Sequence, residues 1–168
     1  MNPRVRAFVG LGGNLGAPVA TLREAIREFD GLPGTRLART SSLYTSRAWG
    51  VEDQPDFVNA VVLLDTQLDA RELLDALLQL ERSHGRDRDM ETRWGPRTLD
   101  LDLLLHGDAV IDEPGLHIPH PHLHERAFVL LPLVEIAPET MVPGRGMARE
   151  LLATIAVQGV EVLRNAPI

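Results

Sequence analysis

Two aspartates, Asp100 and Asp102, stand two residues apart in the run TLDLDLLLHG, and four arginines, Arg86, Arg88, Arg93 and Arg97, precede them in GRDRDMETRWGPR. Residues two apart in a strand share a face, so both carboxylates project to one side with Cα atoms roughly 7 Å apart, and Leu101 and Leu103 to the other. Like charges at that separation repel by roughly 2 kcal/mol at a protein-like dielectric, a cost that a cation between them removes. A hard, oxygen-loving ion such as Mg²⁺ suits two monodentate carboxylates that leave positions open for water and a phosphate. Planar guanidinium forks suit the phosphate oxygens themselves. The plainer alternative is a solvated strand face beside a solvated loop, whose arginines pair with Asp87, Asp89 and Glu91. Against it, Leu103, Leu104 and Leu105 abandon alternation, so the strand becomes covered on both faces as it proceeds.

Composition sets what else the chain can do. All 17 basic residues are arginine, so lysine is absent, and with it Schiff-base chemistry and a Walker-A phosphate loop. The net charge of -7 argues against general nucleic-acid binding, so any anion site is a local concentration of arginine. There are no cysteines, which excludes disulfides and thiolate chemistry and agrees with a reducing compartment. No stretch at the N-terminus has the length of a signal or membrane segment, and the expectation is a soluble, cytoplasmic protein that spans no membrane.

The elements that must position these residues follow from periodicity. VRAFVGL reads as a strand ending at the turn signal GGNLG. After Pro18, Leu22, Ala25, Ile26 and Phe29 recur at helical spacing and the run ends near Gly31 and Pro33. Arg36 to Thr45 fits a half-polar strand, and FVNAVVLLD a strand buried on both faces. Asp69 with Glu72 forms a capping box for a helix through Leu73, Leu77 and Glu81, and Gly85 lies just past its end. TLDLDLLLHG is the next strand. The order βαββαβ predicts an α+β fold with a ferredoxin-like core, a mainly antiparallel sheet with packed helices, and a C-terminal extension, all within one domain of residues 1–168.

Other residues carry two readings at this point. Phe57 and Phe128 are core residues or faces for a flat heteroaromatic ligand. Asn59 lies in a run that looks buried, where its amide needs partners from the backbone or from a ligand. GLGGNLG misses the dinucleotide spacing and is read as a strand-to-helix turn. HIPHPHLH, with His117, His120, His122 and His124, invites a zinc reading, but its two prolines extend the segment and the spacing matches no familiar zinc motif. A ligand-binding regulatory domain and a histidine-metal hydrolase are the competing functions.

RWGPRTLDLDLLLHG, with DQPDFVNAV upstream and IPHPHLHERAFVLLPLVEIAPE downstream, strongly resembles the 6-hydroxymethyl-7,8-dihydropterin pyrophosphokinases of folate biosynthesis, from LGGNLG through about Glu139. The resemblance implies a ferredoxin-like monomer that transfers pyrophosphate from ATP to the hydroxymethyl group of a reduced pterin and releases AMP, with two Mg²⁺ ions. It further implies Asp100 and Asp102 as magnesium ligands, Arg86 and Arg88 in a catalytic lid, and Arg93 and Arg97 on the nucleotide phosphates, with Trp94 packed in the closed loop. Asn59 would bond the pterin edge, backbone groups from Ser46 and Arg47 to Trp49 would complete its recognition, and Phe57 and Phe128 would sandwich the ring. His120 and Arg126 would lie along the ATP phosphates, and Leu103 and His117 beside the adenine. The chain departs from the family pattern at Leu78, where glutamine is common, and at Pro121, where some members carry an aromatic residue.

Overall fold

The computed structural model describes residues 2–47, 54–85 and 98–163. Its elements are β1 (Val5–Gly13), α1 (Pro18–Glu28), β2 (Thr35–Thr40), β3 (Tyr44–Ser46), β4 (Phe57–Thr66), α2 (Ala70–Ser83) and β5 (Asp100–His106). The extension adds β6 (Ile111–Glu113), β7 (Leu116–Ile118), α3 (Ala127–Ile136), β8 (Met141–Val142), β9 (Gly146–Met147), α4 (Ala148–Leu152) and β10 (Val160–Val162). The fold is α+β as expected, and its main sheet runs β10-β3-β4-β1-β5 with β2 also paired to β4, every pairing antiparallel. The extension brings two small hairpins and an edge strand as well as helices.

Three local outcomes differ from the pattern reading. The polar strand expected over Arg36 to Thr45 is two strands, β2 and β3, both on β4, with one register shift between Leu37 and Arg39 and a break at Ser41–Leu43. At the break Ser41 stays on the ladder: its N–H donates to Val61 O at 2.9 Å and its Oγ accepts from Val61 N at 2.9 Å. The glycine run after β1 is not all turn, since Gly10, Gly12 and Gly13 belong to the strand and pair with β4 on one side, Gly10 and Gly12 also with β5 on the other. Ladder bonds from two neighbours offset the poor strand propensity of glycine there. In β5, the register with β1 shifts so that Leu104 is an extra residue. A bulge of this kind places two consecutive side chains on one face, which is the physical meaning of the Leu103-Leu104-Leu105 run.

Two apolar layers sandwich the sheet. On one face α1 and α2 cover Ala7, Val9, Leu11, Val58, Ala60, Val62, Leu64, Leu101 and Leu103. On the other, α3 and α4 cover Phe8, Val61, Leu63, Leu104 and Leu105. Helix α2 starts on the expected capping box, with Glu72 N–H donating to Asp69 Oδ1 at 2.8 Å and Asp69 N–H to Glu72 Oε1 at 3.0 Å. It ends before Gly85, whose φ of 85° is the left-handed conformation that glycine supplies at a helix C-terminus.

Candidate active site

The site lies on the α3 face, where the helix leaves part of the sheet open. Strand pairing sets its geometry. Asn59 pairs with Gly12, and Gly12 with Asp100; in the next row Val61 pairs with Gly10, and Gly10 with Asp102. Cross-strand partners share a face, so Asn59 on β4 and the two aspartates on β5 project to the same side, separated by a strand that carries only hydrogens there. At about 4.8 Å per strand the trough between Asn59 and Asp100 is roughly 10 Å across. Gly10, Gly12, Asn59, Asp100, Asp102 and Phe128 line it. Phe57 shares the Asn59 face by its position two residues earlier on β4.

Asp100 and Asp102 are half-buried, neither in the core nor fully wet. Between them Leu101 points the opposite way, and its N–H donates to Glu81 Oε2 of α2 at 2.7 Å. Glu81 is 2% exposed, so a buried carboxylate clamps the outer edge of β5 at the residue between the two aspartates. Among the described residues no three histidine, aspartate or glutamate side chains gather as a metal set. The aspartate pair fits a cation that takes two protein oxygens and completes its shell with water and phosphate, which is the habit of Mg²⁺.

Asn59 and Ser46 are each 4% exposed, and Asn59 Nδ2 donates to Ser46 Oγ at 2.6 Å. Tyr44, in the same sheet row as Asn59, donates its hydroxyl to Glu135 Oε1 of α3 at 2.6 Å, and Ser42 N–H and Oγ donate to Glu135 Oε2, both at 2.9 Å. Burial, then the hydrogen bond and charge of Glu135, push the Tyr44 phenol well above its ordinary value of 10.0. At the other end of α3, the Arg126 guanidinium lies 5.6 Å from the centre of the Phe128 ring, a cation–π contact that steadies the ring at the rim of the trough.

His120 is half-buried, and its N–H donates to Leu104 O at 2.9 Å, which ties the segment before α3 to the bulge of β5. Burial, then the charges of Arg126 and His122, hold its imidazole down at about 4 against the pull of Asp100. His122 N–H donates to His120 Nδ1 at 3.2 Å, so the neutral ring carries its proton on Nε2. A hollow of about 320 Å³ adjoins this segment, with His120, His124 and Arg145 in its lining and no carboxylate.

Residues 8–138 match the family described as 7,8-dihydro-6-hydroxymethylpterin-pyrophosphokinase. The chain belongs to that family. Two relatives named 2-amino-4-hydroxy-6-hydroxymethyldihydropteridine pyrophosphokinase bear on it. The Pseudomonas aeruginosa protein is 48% identical over 161 residues, covering 96% of this chain and 98% of its own. The Haemophilus influenzae protein is 43% identical over 152 residues, covering 90% and 94%. Among solved structures, wild-type Plasmodium falciparum HPPK-DHPS with pteroate superposes with a TM-score of 0.71 over 92% of this chain. This chain spans 45% of that one, and at 14% identity the likeness speaks for the fold alone.

Of the residues that the pyrophosphokinase resemblance singles out, the fold gathers Asp100, Asp102, Asn59 and Phe128 around one trough, with Ser46 bonded to Asn59. Arg126 reaches Phe128, and His120 sits near Asp100. Two are placed elsewhere. The Leu103 side chain is 5% exposed in the layer under α1 and α2, on the opposite face from the aspartates, because alternation within the N-terminal half of β5 sends it there. Any nucleotide contact at Leu103 is therefore through its backbone at the sheet edge. His117, exposed on β7, has Nδ1 2.7 Å from Asp112 Oδ1. Arg47 is exposed just past β3. Trp49, Arg86, Arg88, Arg93, Trp94 and Arg97 lie outside the described residues.

Pattern reading missed the glycine floor and the Glu81 clamp. The signal for the first is Phe8, Gly10, Gly12, an alternation whose gaps fall on one face of a strand flanked by functional strands. The signal for the second is a glutamate at an apolar-periodic position of α2, where a buried acid needs a specific partner. Asn14 is a third: 2% exposed, it donates through Nδ2 to Gln54 Oε1 at 2.8 Å and Pro55 O at 3.0 Å, joining the end of β1 to the approach to β4.

Proposed function

We propose that this chain transfers the pyrophosphoryl group of ATP to the hydroxymethyl group of 6-hydroxymethyl-7,8-dihydropterin and releases AMP, as a cytoplasmic monomer of folate biosynthesis. The observation that carries the reading is the sheet row Asn59–Gly12–Asp100, with a heterocycle-binding amide at one end, a carboxylate at the other and bare backbone between them. A flat bicyclic ring of that span lies against Asn59, between Phe57 and Phe128, with its hydroxymethyl arm directed toward the aspartates. The net charge of -7 disfavours nucleic acid as a partner. No helix among the described residues is long and apolar enough to cross a membrane.

Asp100 and Asp102 would hold two Mg²⁺ ions against the polyphosphate. Bound there, Mg²⁺ supplies Lewis-acid neutralisation of the charge that develops on the phosphate oxygens. The remaining chemistry is positional. The pterin hydroxyl oxygen forms a bond to the β-phosphorus as the bond from that phosphorus to the α–β bridging oxygen breaks, AMP leaves with the electron pair, and the hydroxyl proton is lost to solvent. His120, neutral at pH 7 with its proton on Nε2, donates a hydrogen bond to phosphate. Burial and the neighbouring Arg126 hold its imidazole down at about 4, which favours this phosphate contact over a part as proton acceptor. Arg126 and the loop arginines Arg86, Arg88, Arg93 and Arg97 take up phosphate charge. Incubation with ATP, Mg²⁺ and hydroxymethyldihydropterin should yield AMP and the pterin diphosphate in equal amounts. ADP as the nucleotide product would overturn pyrophosphoryl transfer in favour of an ordinary kinase.

A further inference from the structure

Asn59 can present either end of its amide to a ligand, and a ring that is recognised through one lactam edge needs that choice to be made in advance. Two neighbours bear on it. Ser46 pairs with Phe57 across β3 and β4, so it stands diagonally from Asn59 on the same face, and its Oγ accepts from Asn59 Nδ2 at 2.6 Å. On the other side, Asn59 Oδ1 lies above Gly12, 3.2 Å from where a Cβ would stand at that position. Both Ser46 and Asn59 are 4% exposed, so water does not compete freely for these groups.

We propose that Ser46 is a positioning residue that fixes the Asn59 carboxamide in one of its two flips, and that Gly12 is a specificity residue whose missing side chain leaves Asn59 Oδ1 open to the ligand. One Nδ2 proton is spent on Ser46. The other, with Oδ1, forms a donor–acceptor edge that matches a cyclic N–H/C=O pair, the lactam edge of a 2-amino-4-oxopyrimidine ring. A 2,4-diaminopteridine, which has a ring-nitrogen lone pair and an amino group at that edge, meets donor with donor and acceptor with acceptor. An amide free to turn over would accept both rings. An alanine methyl at Gly12 would stand closer to Oδ1 than ordinary van der Waals contact allows and would displace the amide from its place.

The inference rests on the reading that Asn59 faces the pterin, and the test separates the two. In the full-length enzyme, Ser46→Ala should raise the pterin KM about tenfold, with kcat and the ATP KM within about twofold, and Ser46→Thr should restore it. The preference for the pterin over 2,4-diaminopteridine, measured as a ratio of inhibition and Michaelis constants, should shrink in Ser46→Ala and not in Ser46→Thr. Gly12→Ala should raise the pterin KM at least as much, and because it leaves Ser46 in place it stands as the second handle should Ser46→Ala fold poorly. If Asn59→Ala leaves the pterin KM unchanged, the placement of the pterin is wrong. If Asn59→Ala raises it while folded Ser46→Ala and Gly12→Ala keep both KM and ring preference, Asn59 binds the pterin but is not set by these neighbours, and the inference falls.

Discussion

The two faces of one sheet show how differently the same strands can be used. Beneath α1 and α2, Ala7, Val9 and Leu11 of β1, Val58, Ala60, Val62 and Leu64 of β4, and Leu101 and Leu103 of β5 are apolar and no more than 6% exposed. On the reverse face the apolar layer stops partway: Phe8, Leu63 and Leu105 are covered by α3, and beyond them the strands present Gly10, Gly12, Asn59, Asp100 and Asp102. A strand held by a dry layer on one side can carry repelling carboxylates, bare glycines and a half-engaged amide on the other, because the energetic burden of order rests on the far face. Period-two alternation makes the division possible within a few residues.

That division implies opposite phenotypes for neighbouring positions. The largest effect should come from the open face. Asp100→Asn and Asp102→Asn keep size and polarity but remove the charge that holds a hard cation, so each should slow turnover on the order of a thousandfold, several kcal/mol of transition-state stabilisation. The double variant should be scarcely worse in turnover than either single one. Near-normal turnover in both single variants would reduce these carboxylates to a wet edge. Leu64→Ala, on the dry face at 0% exposure, should do the reverse. It should cost about 2–5 kcal/mol in chemical denaturation and leave the Michaelis constants of the folded fraction unchanged.

Glu81 joins the two faces, and its removal should register on both with smaller effect. Glu81→Ala deprives Leu101 N–H of its acceptor, so stability should fall by about 2 kcal/mol and the Mg²⁺-dependent affinity for ATP should weaken, since the strand between the aspartates is no longer clamped. Loss of stability alone would confine Glu81 to a structural part. The smallest effect concerns Tyr44, the only tyrosine of the chain. Its folded titration lies above the unfolded value of 10.0, so whatever it contributes to stability is fully present below about pH 10 and is lost as pH climbs further, when only the unfolded chain releases the proton. The ultraviolet signal of tyrosinate should therefore appear late in the folded protein and move toward its ordinary range in Glu135→Gln.

The dry face was the legible one. Spacing alone located α1, α2 with its capping box, and the doubly covered β4, because apolar periodicity and local hydrogen bonds are written in contiguous residues. The shared side of Asp100 and Asp102 was legible for the same reason. What escaped depends on partners distant in sequence. Gly12 acquires its meaning from Asn59 and Asp100 across two registers, and a glycine run with no partners in view looks like a turn. Glu81 looks like another helix position until Leu101 is seen to need it. The division of β2 from β3 is likewise set by Val61, whose backbone holds Ser41 where the polar strand would otherwise run on.

The extra residue in β5 has a consequence beyond packing two leucines together. Leu105 and His106 are anchored in phase with Phe8 and Ala7, the first toward α3 and the second toward α2. Counted back from them in strict alternation, Asp102 and Asp100 would face the helices α1 and α2, with Leu101 and Leu103 left outside. Leu104 inverts that count. Kept in the ladder instead of bulged out, Leu104 would ask the chain either to drive two carboxylates into its driest layer or to turn His106 and Leu105 over, whereas its deletion would leave Leu103 beside Leu105 in the phase that Val9 and Phe8 already set. The placement of the acidic pair thus hangs on the half-step that keeps Leu104 out of the ladder.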